Sequence, residues 1–142
     1  MLQHIIDIFV QTNNFKPMKD KILLVVAGLF GLMMLNSGLN KFLQYMPMPE
    51  LSPEAGQTIG AFVQSGWLFG LVAVAEIIGG ILIIIPKTRA LGAIIIFPVM
   101  MGILLFHIVQ APEALVMTLV LFAINVWVII DSKDKYMPMI QK

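Results

Sequence analysis

Apolar residues fall into four long blocks that short polar segments separate. The blocks cover residues 22–43, 66–85, 90–109 and 114–130. Each is long enough to cross a bilayer as a helix, which takes about 20 residues, and none alternates between apolar and polar positions as a barrel strand does. The pattern predicts an all-α fold, an integral membrane bundle of four antiparallel transmembrane helices that forms one domain over residues 1–142.

The segments between the blocks differ in length. Residues 86–89 and 110–113 are tight turns that contain proline, so the helices on either side of each turn should be antiparallel neighbours. The connection over 44–65 is longer. It contains Ser52-Pro53-Glu54, a typical helix start with proline at the first helical position. A short helix over 54–64 is therefore predicted in this connection, on the side of the membrane opposite to the two termini.

The first residues of the chain have a weaker pattern. Leu2, Ile5, Ile6 and Phe9 lie at helical spacing among polar residues, which favours a short helix in the membrane interface. A disordered tail is the alternative. The order of charged and apolar residues is the reverse of that in a signal peptide, where the basic residues come first.

Basic residues cluster at one end of the predicted bundle. Lysine and arginine near the ends of membrane spans stay on the cytoplasmic side, so their positions predict cytoplasmic N and C termini. On the opposite side only Lys41 is found, together with Glu50, Glu54 and Glu113. The residues on the cytoplasmic side are Lys16, Lys19, Lys21, Lys87, Arg89, Lys133, Lys135 and Lys142.

Composition strengthens the membrane interpretation and excludes several functions. Of 142 residues 59% are hydrophobic and 12% are charged, and the mean hydropathy is +0.94, far from the values of a soluble domain. The net charge of +1 gives no indication of nucleic-acid binding. With no cysteine, the chain has no disulfide, no thiol redox pair and no thiolate metal site. No metal site is predicted from the remaining residues.

One acid interrupts the second apolar block. Glu76 lies midway along GWLFGLVAVAEIIGGILIII, and a carboxyl group at that depth costs several kcal/mol unless it has a partner inside the protein. The positions three or four residues away include Ala73, Gly79 and Gly80, which allow a neighbouring helix to approach closely. We therefore expect Glu76 to face a contact between helices, with Gly38 as a further packing residue on the first helix.

Other polar residues within the blocks are candidate partners of Glu76. They are Asn36, Asn40, Lys41 and His107, and with Glu76 they could line a small polar cavity that opens outward. In that interpretation Glu76 accepts a proton or anchors a ligand. The alternative is that the polar residues only join helices while Lys41 extends to the interface. For Asn125 and Thr118 the joining role is the preferred interpretation.

Four sequence stretches, in this order and spacing, resemble the DoxX family of small bacterial four-helix membrane proteins. They are SGLNKF at 37–42, MPMP at 46–49, VAEIIGG at 74–80 and KTRALG at 87–92. The similarity extends from about residue 24 to 131. The family pattern carries over to Gly38, Lys41, Glu76, Gly79 and Gly80, while for His107 the correspondence is loose.

The resemblance implies a location in the bacterial inner membrane and a link to quinone chemistry. Relatives are associated with quinone-linked thiosulfate oxidation or with an oxidative-stress complex, and most have no established activity. We expect a membrane subunit or accessory factor of a quinone-linked redox process, without an intrinsic cofactor and with quinone as the candidate ligand. An oxidoreductase reaction would then require a partner redox protein, because the water-exposed segments are too short to form a catalytic domain.

Two further functions are compatible with the sequence. The chain could be a carrier or receptor for a small lipophilic or protonatable solute, in which Glu76 changes protonation. It could also be a structural partner of another membrane protein, with Glu76 paired to Lys41 or an asparagine. The ligand, the catalytic residues and any assembly into homo-oligomers stay open at this point.

Overall fold

The computed structural model describes residues 1–141, apart from the side chains of residues 10–16. Over this part of the chain the protein is all-helical, with 84% helix and no strands. A short 3-10 turn, Pro112–Ala114, precedes the fifth helix. The α-helices are α1 (Leu2–Leu43), α2 (Pro53–Gln64), α3 (Leu68–Ile84), α4 (Arg89–Val109), α5 (Leu115–Asp131) and α6 (Lys133–Ile140).

Three stretches of the described chain are long and apolar enough to cross a membrane by themselves. They are Pro17–Leu43 within α1, Arg89–Val109 and Pro112–Asp131. Helix α3 has 17 residues and meets this criterion only together with α2, from which it is bent by 89°. Three to four candidate spans are thus present, as in a multi-pass membrane protein.

Helix α1 differs from the prediction at its N-terminal end. Residues 2–9 are helical, in agreement with the predicted helix and not with a disordered tail. They are continuous with the first span, however, so the helix is 42 residues long with Pro17 inside it. Helix nucleation is costly and extension of an existing helix is cheap, which favours one long helix over two short ones.

The start of α2 is the one that its sequence predicts. Ser52 is the N-cap, its hydroxyl accepts a hydrogen bond from the Ala55 N–H, and Pro53 occupies the first helical position. The Ser52 hydroxyl also donates to the Gln110 carbonyl at 3.3 Å, which attaches the long connection to the turn after α4. Helix α2 thereby lies at the end of the protein that holds the α4–α5 turn.

Helix α6 has no counterpart in the sequence prediction. Its eight residues are polar on average and include Pro138, so no apolar block marks them. A tertiary contact attaches this helix, since the Tyr136 hydroxyl donates to the Ala90 carbonyl at 2.5 Å. Burial raises the pKa of the Tyr136 phenol above its usual value, and the protonated form is the one that can donate.

The helices pack in an order that follows the chain. Helix α1 lies against α3, α3 against α4 and α4 against α5, and α1 also touches α5, where Lys19 Nζ lies 2.9 Å from Asp131 Oδ1. Many large apolar side chains on the outside are exposed, for example Leu29 and Val116, as expected of surfaces that face lipid. The buried core includes Leu23, Ala27, Phe30, Met34, Ile83, Ala93, Ile96, Met100 and Val128.

Candidate functional site between α1 and α3

Helices α1 and α3 approach so closely at two levels that backbones touch. A Cβ atom on Gly31 would lie 2.7 Å from the Gly80 carbonyl oxygen, and one on Gly38 would lie 2.6 Å from that of Ala73. Real Cβ atoms do not tolerate such distances, so glycine is required at both positions. Gly31 and Gly38 are seven residues apart, which places them on one face of α1 over two helical turns.

The adjacent glycines of α3 face different neighbours. A Cβ on Gly80 would meet the Gly31 oxygen of α1 at 2.6 Å, whereas one on Gly79 would meet the Ile96 side chain of α4 at 2.5 Å. Adjacent helical residues point about 100° apart, so a Gly-Gly pair lets α3 pack tightly against two helices at once. Glu76 lies one turn before this pair.

Glu76 lies at the centre of α3 and is fully buried. It is flanked by eight residues on each side within Leu68–Ile84, about 12 Å from either end by helical rise, and its relative exposure is 0%. Lys41 Nζ of α1 lies 2.6 Å from its Oε2 atom. The structure therefore brings together one of the four candidate partners and the acid.

Lys41 reaches the acid from the C-terminal turn of α1. Its ammonium also donates to the Ser37 hydroxyl at 2.9 Å and lies 5.8 Å from the centre of the Phe69 ring, within the range of a cation–π contact. The lysine side chain is 19% exposed and that of Glu76 only 1%. The lysine stem thus connects a buried carboxylate to the edge of the helix pair.

The pair leaves one hydrogen-bonding position open. Glu76 Oε1 is buried and has no hydrogen-bond partner among the described residues. A carboxylate oxygen without a partner is costly in a low-dielectric interior, and it can accept a hydrogen bond from an added donor. The site therefore contains the Lys41 ammonium group and the Glu76 carboxylate, and one oxygen of that carboxylate has no hydrogen-bond donor within the described chain.

Asn36 and Asn40 have other partners. The Tyr45 hydroxyl donates to the side-chain oxygen of Asn36, and Asn40 Oδ1 accepts the Met46 N–H at 2.8 Å. These contacts attach the segment after α1 to the last turns of the helix, where Gln44 has the left-handed conformation, φ 51°. Both asparagines thus organise the connection after α1, and their side-chain hydrogen bonds in the described part of the chain do not go to Glu76.

His107 also bonds elsewhere. Its Nδ1 atom and the Thr118 hydroxyl share a hydrogen bond of 2.8 Å, which joins α4 to α5. Between the same two helices, farther from the α4–α5 turn, Asn125 Nδ2 donates to the Ala93 carbonyl at 3.1 Å. Such hydrogen bonds hold membrane helices together, so Thr118 and Asn125 have the contacts expected of joining residues.

Two surface depressions are found away from Glu76. An apolar groove of about 440 Å³ lies between α4 and α5, and a polar pocket of about 180 Å³ lies beside Arg89 and Asp131. The sequence placed Arg89 only among the basic residues of a turn, yet its exposure is 9%. Nothing in a Lys-Thr-Arg turn shows that the arginine, rather than the lysine, folds inward.

In the described part of the chain, no group of three or more His, Asp or Glu side chains lies close enough together to hold a metal ion.

Comparison of the sequence with models of protein families, with curated proteins and with solved structures finds no match. The arrangement around Glu76 is therefore the observation on which a functional proposal has to rest.

Proposed function

We propose that the chain is a DoxX-like protein of a bacterial inner membrane, with α1, α3, α4 and α5 as its four membrane-spanning helices and both termini in the cytoplasm. The residues of the resemblance support the family, and the bias of lysine and arginine toward one end supports the orientation. An alternating course of α1, α3, α4 and α5 agrees with their close contacts along the chain order.

The proposed role is that of a membrane subunit or accessory factor in a quinone-linked redox process. The observation that carries it is the partly buried Lys41–Glu76 pair, in which the Oε1 atom of Glu76 has no hydrogen-bond partner among the described residues. Quinone headgroups present carbonyl acceptors in the oxidised form and hydroxyl donors in the reduced form. Lys41, whose side chain is 19% exposed, can donate to the first, and Glu76 Oε1, which is buried, can accept from the second when the contact between α1 and α3 opens.

In this proposal the electrons come from a partner protein. The chain has no cysteine, and its described residues form no metal cluster. Reduction of a quinone takes up two electrons and two protons, and Lys41 and Glu76 could hand on protons only. The chain would bind and orient the headgroup, while a redox subunit beside it would exchange the electrons.

Quinone titration of the purified protein tests this role. Quenching of the intrinsic fluorescence of Trp67 and Trp127 by menaquinol or ubiquinol, the reduced forms whose hydroxyl groups can donate to Glu76 Oε1, should saturate, and Glu76→Gln should weaken the apparent affinity about tenfold, the loss expected for one hydrogen bond to a charged group. Glu113→Gln, an exposed acid outside the site, is the matched control. Quenching that never saturates, or that is equal in the wild type and Glu76→Gln, contradicts the proposal.

A second candidate is a purely structural role as the partner of another membrane protein. The full burial of Glu76 and the backbone contacts at Gly31 and Gly38 favour it, because a tightly closed contact holds helices together without a ligand. This candidate predicts that Glu76→Gln changes stability and leaves quinone quenching unaffected.

A further inference from the structure

A polar pocket lies at the end of the protein where α3 turns into α4 and α5 passes into α6. Its volume is about 180 Å³, and its lining residues are Pro86, Arg89, Asp131, Ser132, Asp134 and Lys135. None of the residues proposed for quinone lines it. By the orientation proposed above, this end lies at the cytoplasmic face of the membrane.

Arg89 is only partly satisfied by the protein. Its Nε atom donates to the Ile83 carbonyl at 3.1 Å, which closes the end of α3. The Nη2 atom is buried and has no hydrogen-bond partner among the described residues, and the residue as a whole is only 9% exposed. Arg89 lines the pocket, a buried guanidinium nitrogen without a partner is costly, and the oxygen atoms of phosphate and carboxylate groups are its strongest partners.

The charges around this nitrogen are mixed. Lys135 adds a second cation, while Asp131 and Asp134 add two carboxylates, of which Asp131 is already paired with Lys19 at 2.9 Å. The four pocket charges sum to zero, and Lys19, which is paired with Asp131, adds one positive charge beside them. A ligand with one phosphate and one ammonium group complements this arrangement, because the phosphate can face Arg89 and Lys135 while the ammonium group faces Asp134.

An apolar groove lies along the same two helices, closer to the membrane centre. It has a volume of about 440 Å³ and is lined by Ile94, Phe97, Phe122, Val126 and Ile129. Ile94 follows Arg89 by five residues, about 7.5 Å of helical rise, and Ile129 precedes Ser132 by three, about 4.5 Å. The groove therefore starts roughly one turn below the polar pocket.

We propose that the α4–α5 side binds a phospholipid with an ethanolamine headgroup. Arg89 and Lys135 contact the phosphate, Asp134 accepts hydrogen bonds from the ammonium group, and an acyl chain occupies the groove between α4 and α5. We assign the site to a lipid and not to a soluble phosphate ester, because a lipid has an acyl chain that can occupy the apolar groove and a soluble phosphate ester has none. This inference uses the membrane orientation of the protein but not the quinone role.

Lipid binding can be measured by native mass spectrometry of the full-length protein in detergent. The protein is titrated with short-chain phosphatidylethanolamine, phosphatidylcholine and phosphatidylglycerol, and with soluble phosphoethanolamine. We expect phosphatidylethanolamine to bind about tenfold more tightly than the choline lipid, whose methylated ammonium has no hydrogen to donate. Binding of phosphoethanolamine should be weaker still, because it cannot fill the groove.

Variants that spare the helix contacts separate the roles of the charges. Asp134→Asn should remove the preference for ethanolamine over choline, and Lys135→Gln should weaken all three phospholipids about tenfold. Lys133→Gln, an exposed lysine that does not line the pocket, should have no effect. Arg89→Gln is less suitable, since it also removes the bond to Ile83.

Three results would overturn the inference. One is equal binding of the three phospholipids by the wild type, and another is a preference that Asp134→Asn leaves unchanged. The third is binding of phosphoethanolamine as tight as that of the lipid, because it would show that the groove holds no acyl chain. Each of these results leaves the quinone titration unaffected, so failure of this inference and failure of the proposed function are distinguishable.

Discussion

The Lys41–Glu76 pair is asymmetric, and this asymmetry determines how each partner affects stability. Glu76 is fully buried, while the Lys41 side chain keeps 19% exposure. A lysine that loses its partner can turn its ammonium toward the interface. A buried carboxylate that loses its partner has no such alternative, and breaking a buried pair in this way is strongly destabilising.

A double-mutant cycle measures this asymmetry. Lys41→Met should lower the free energy of unfolding by about 3 kcal/mol and Glu76→Gln by about 1 kcal/mol, as measured by denaturant unfolding in detergent micelles. The double variant should resemble Glu76→Gln alone, because methionine then leaves no charge buried. Lys21→Met, an exposed lysine of the same helix, serves as the control. Additive losses would mean that the two side chains do not interact.

At the scale of single residues, the sequence identified the acid and left its partner open among four candidates, of which Lys41 was one. Glu76 stands out because it is the one charge in a long apolar block. Asn40 and Lys41 are adjacent, however, and point about 100° apart on a helix, so only the rotation of α1 decides which of them meets α3. That rotation is set by the contacts of Gly31 and Gly38, which tertiary packing establishes.

Among the helices, α1 and α3 are the two that carry the Lys41–Glu76 pair, and they are in close backbone contact. It depends on glycine at positions where a neighbouring backbone occupies the space of a side chain. A Cβ on Gly80 would lie 2.6 Å from the Gly31 oxygen and 2.7 Å from the Leu35 nitrogen. Neither atom belongs to a flexible side chain, so relief requires the helices to move apart.

Gly80→Ala should therefore destabilise the protein by about 2 kcal/mol, the usual cost of overpacking, despite a gain in helix propensity of about 0.5–1 kcal/mol. Gly28→Ala is the matched control on α1, since a Cβ there meets nothing within 4 Å, and it should be neutral or stabilising. Denaturant unfolding in micelles measures both. Equal effects of the two substitutions would contradict the close α1–α3 contact.

The apolar blocks of the sequence predict the ends of most helices well, but they do not predict α6, which makes a tertiary contact. The ends of α3, α4 and α5 fall within two residues of the predicted block ends. By contrast, α6 is polar and depends on the bond from Tyr136 to Ala90, and the junction between residues 2–9 and the first span carries no break despite Pro17. Hydrophobic pattern indicates which residues leave water, not which polar segments stay helical.

For the whole molecule, the number of crossings determines where the charge pair lies. The described chain contains three helices that satisfy the length and hydropathy criteria alone, and α3 satisfies them only with α2. Yet α3 packs between α1 and α4 and carries Glu76 at its centre. If α3 crosses the bilayer, the crossings are four and both termini lie on one side. If α3 does not cross the bilayer, the crossings are three and the two termini lie on opposite sides.

Sidedness of the termini is therefore the most direct test of the account. The chain has no cysteine, so single cysteines at Gln3, Gln57 and Lys133 can be labelled with a membrane-impermeant maleimide in intact spheroplasts and in inverted vesicles. We predict that Gln57→Cys reacts in spheroplasts, and that Gln3→Cys and Lys133→Cys react only in inverted vesicles. Labelling of positions 3 and 133 from opposite sides would contradict the account, because α3 and its buried Glu76 would then not span the membrane.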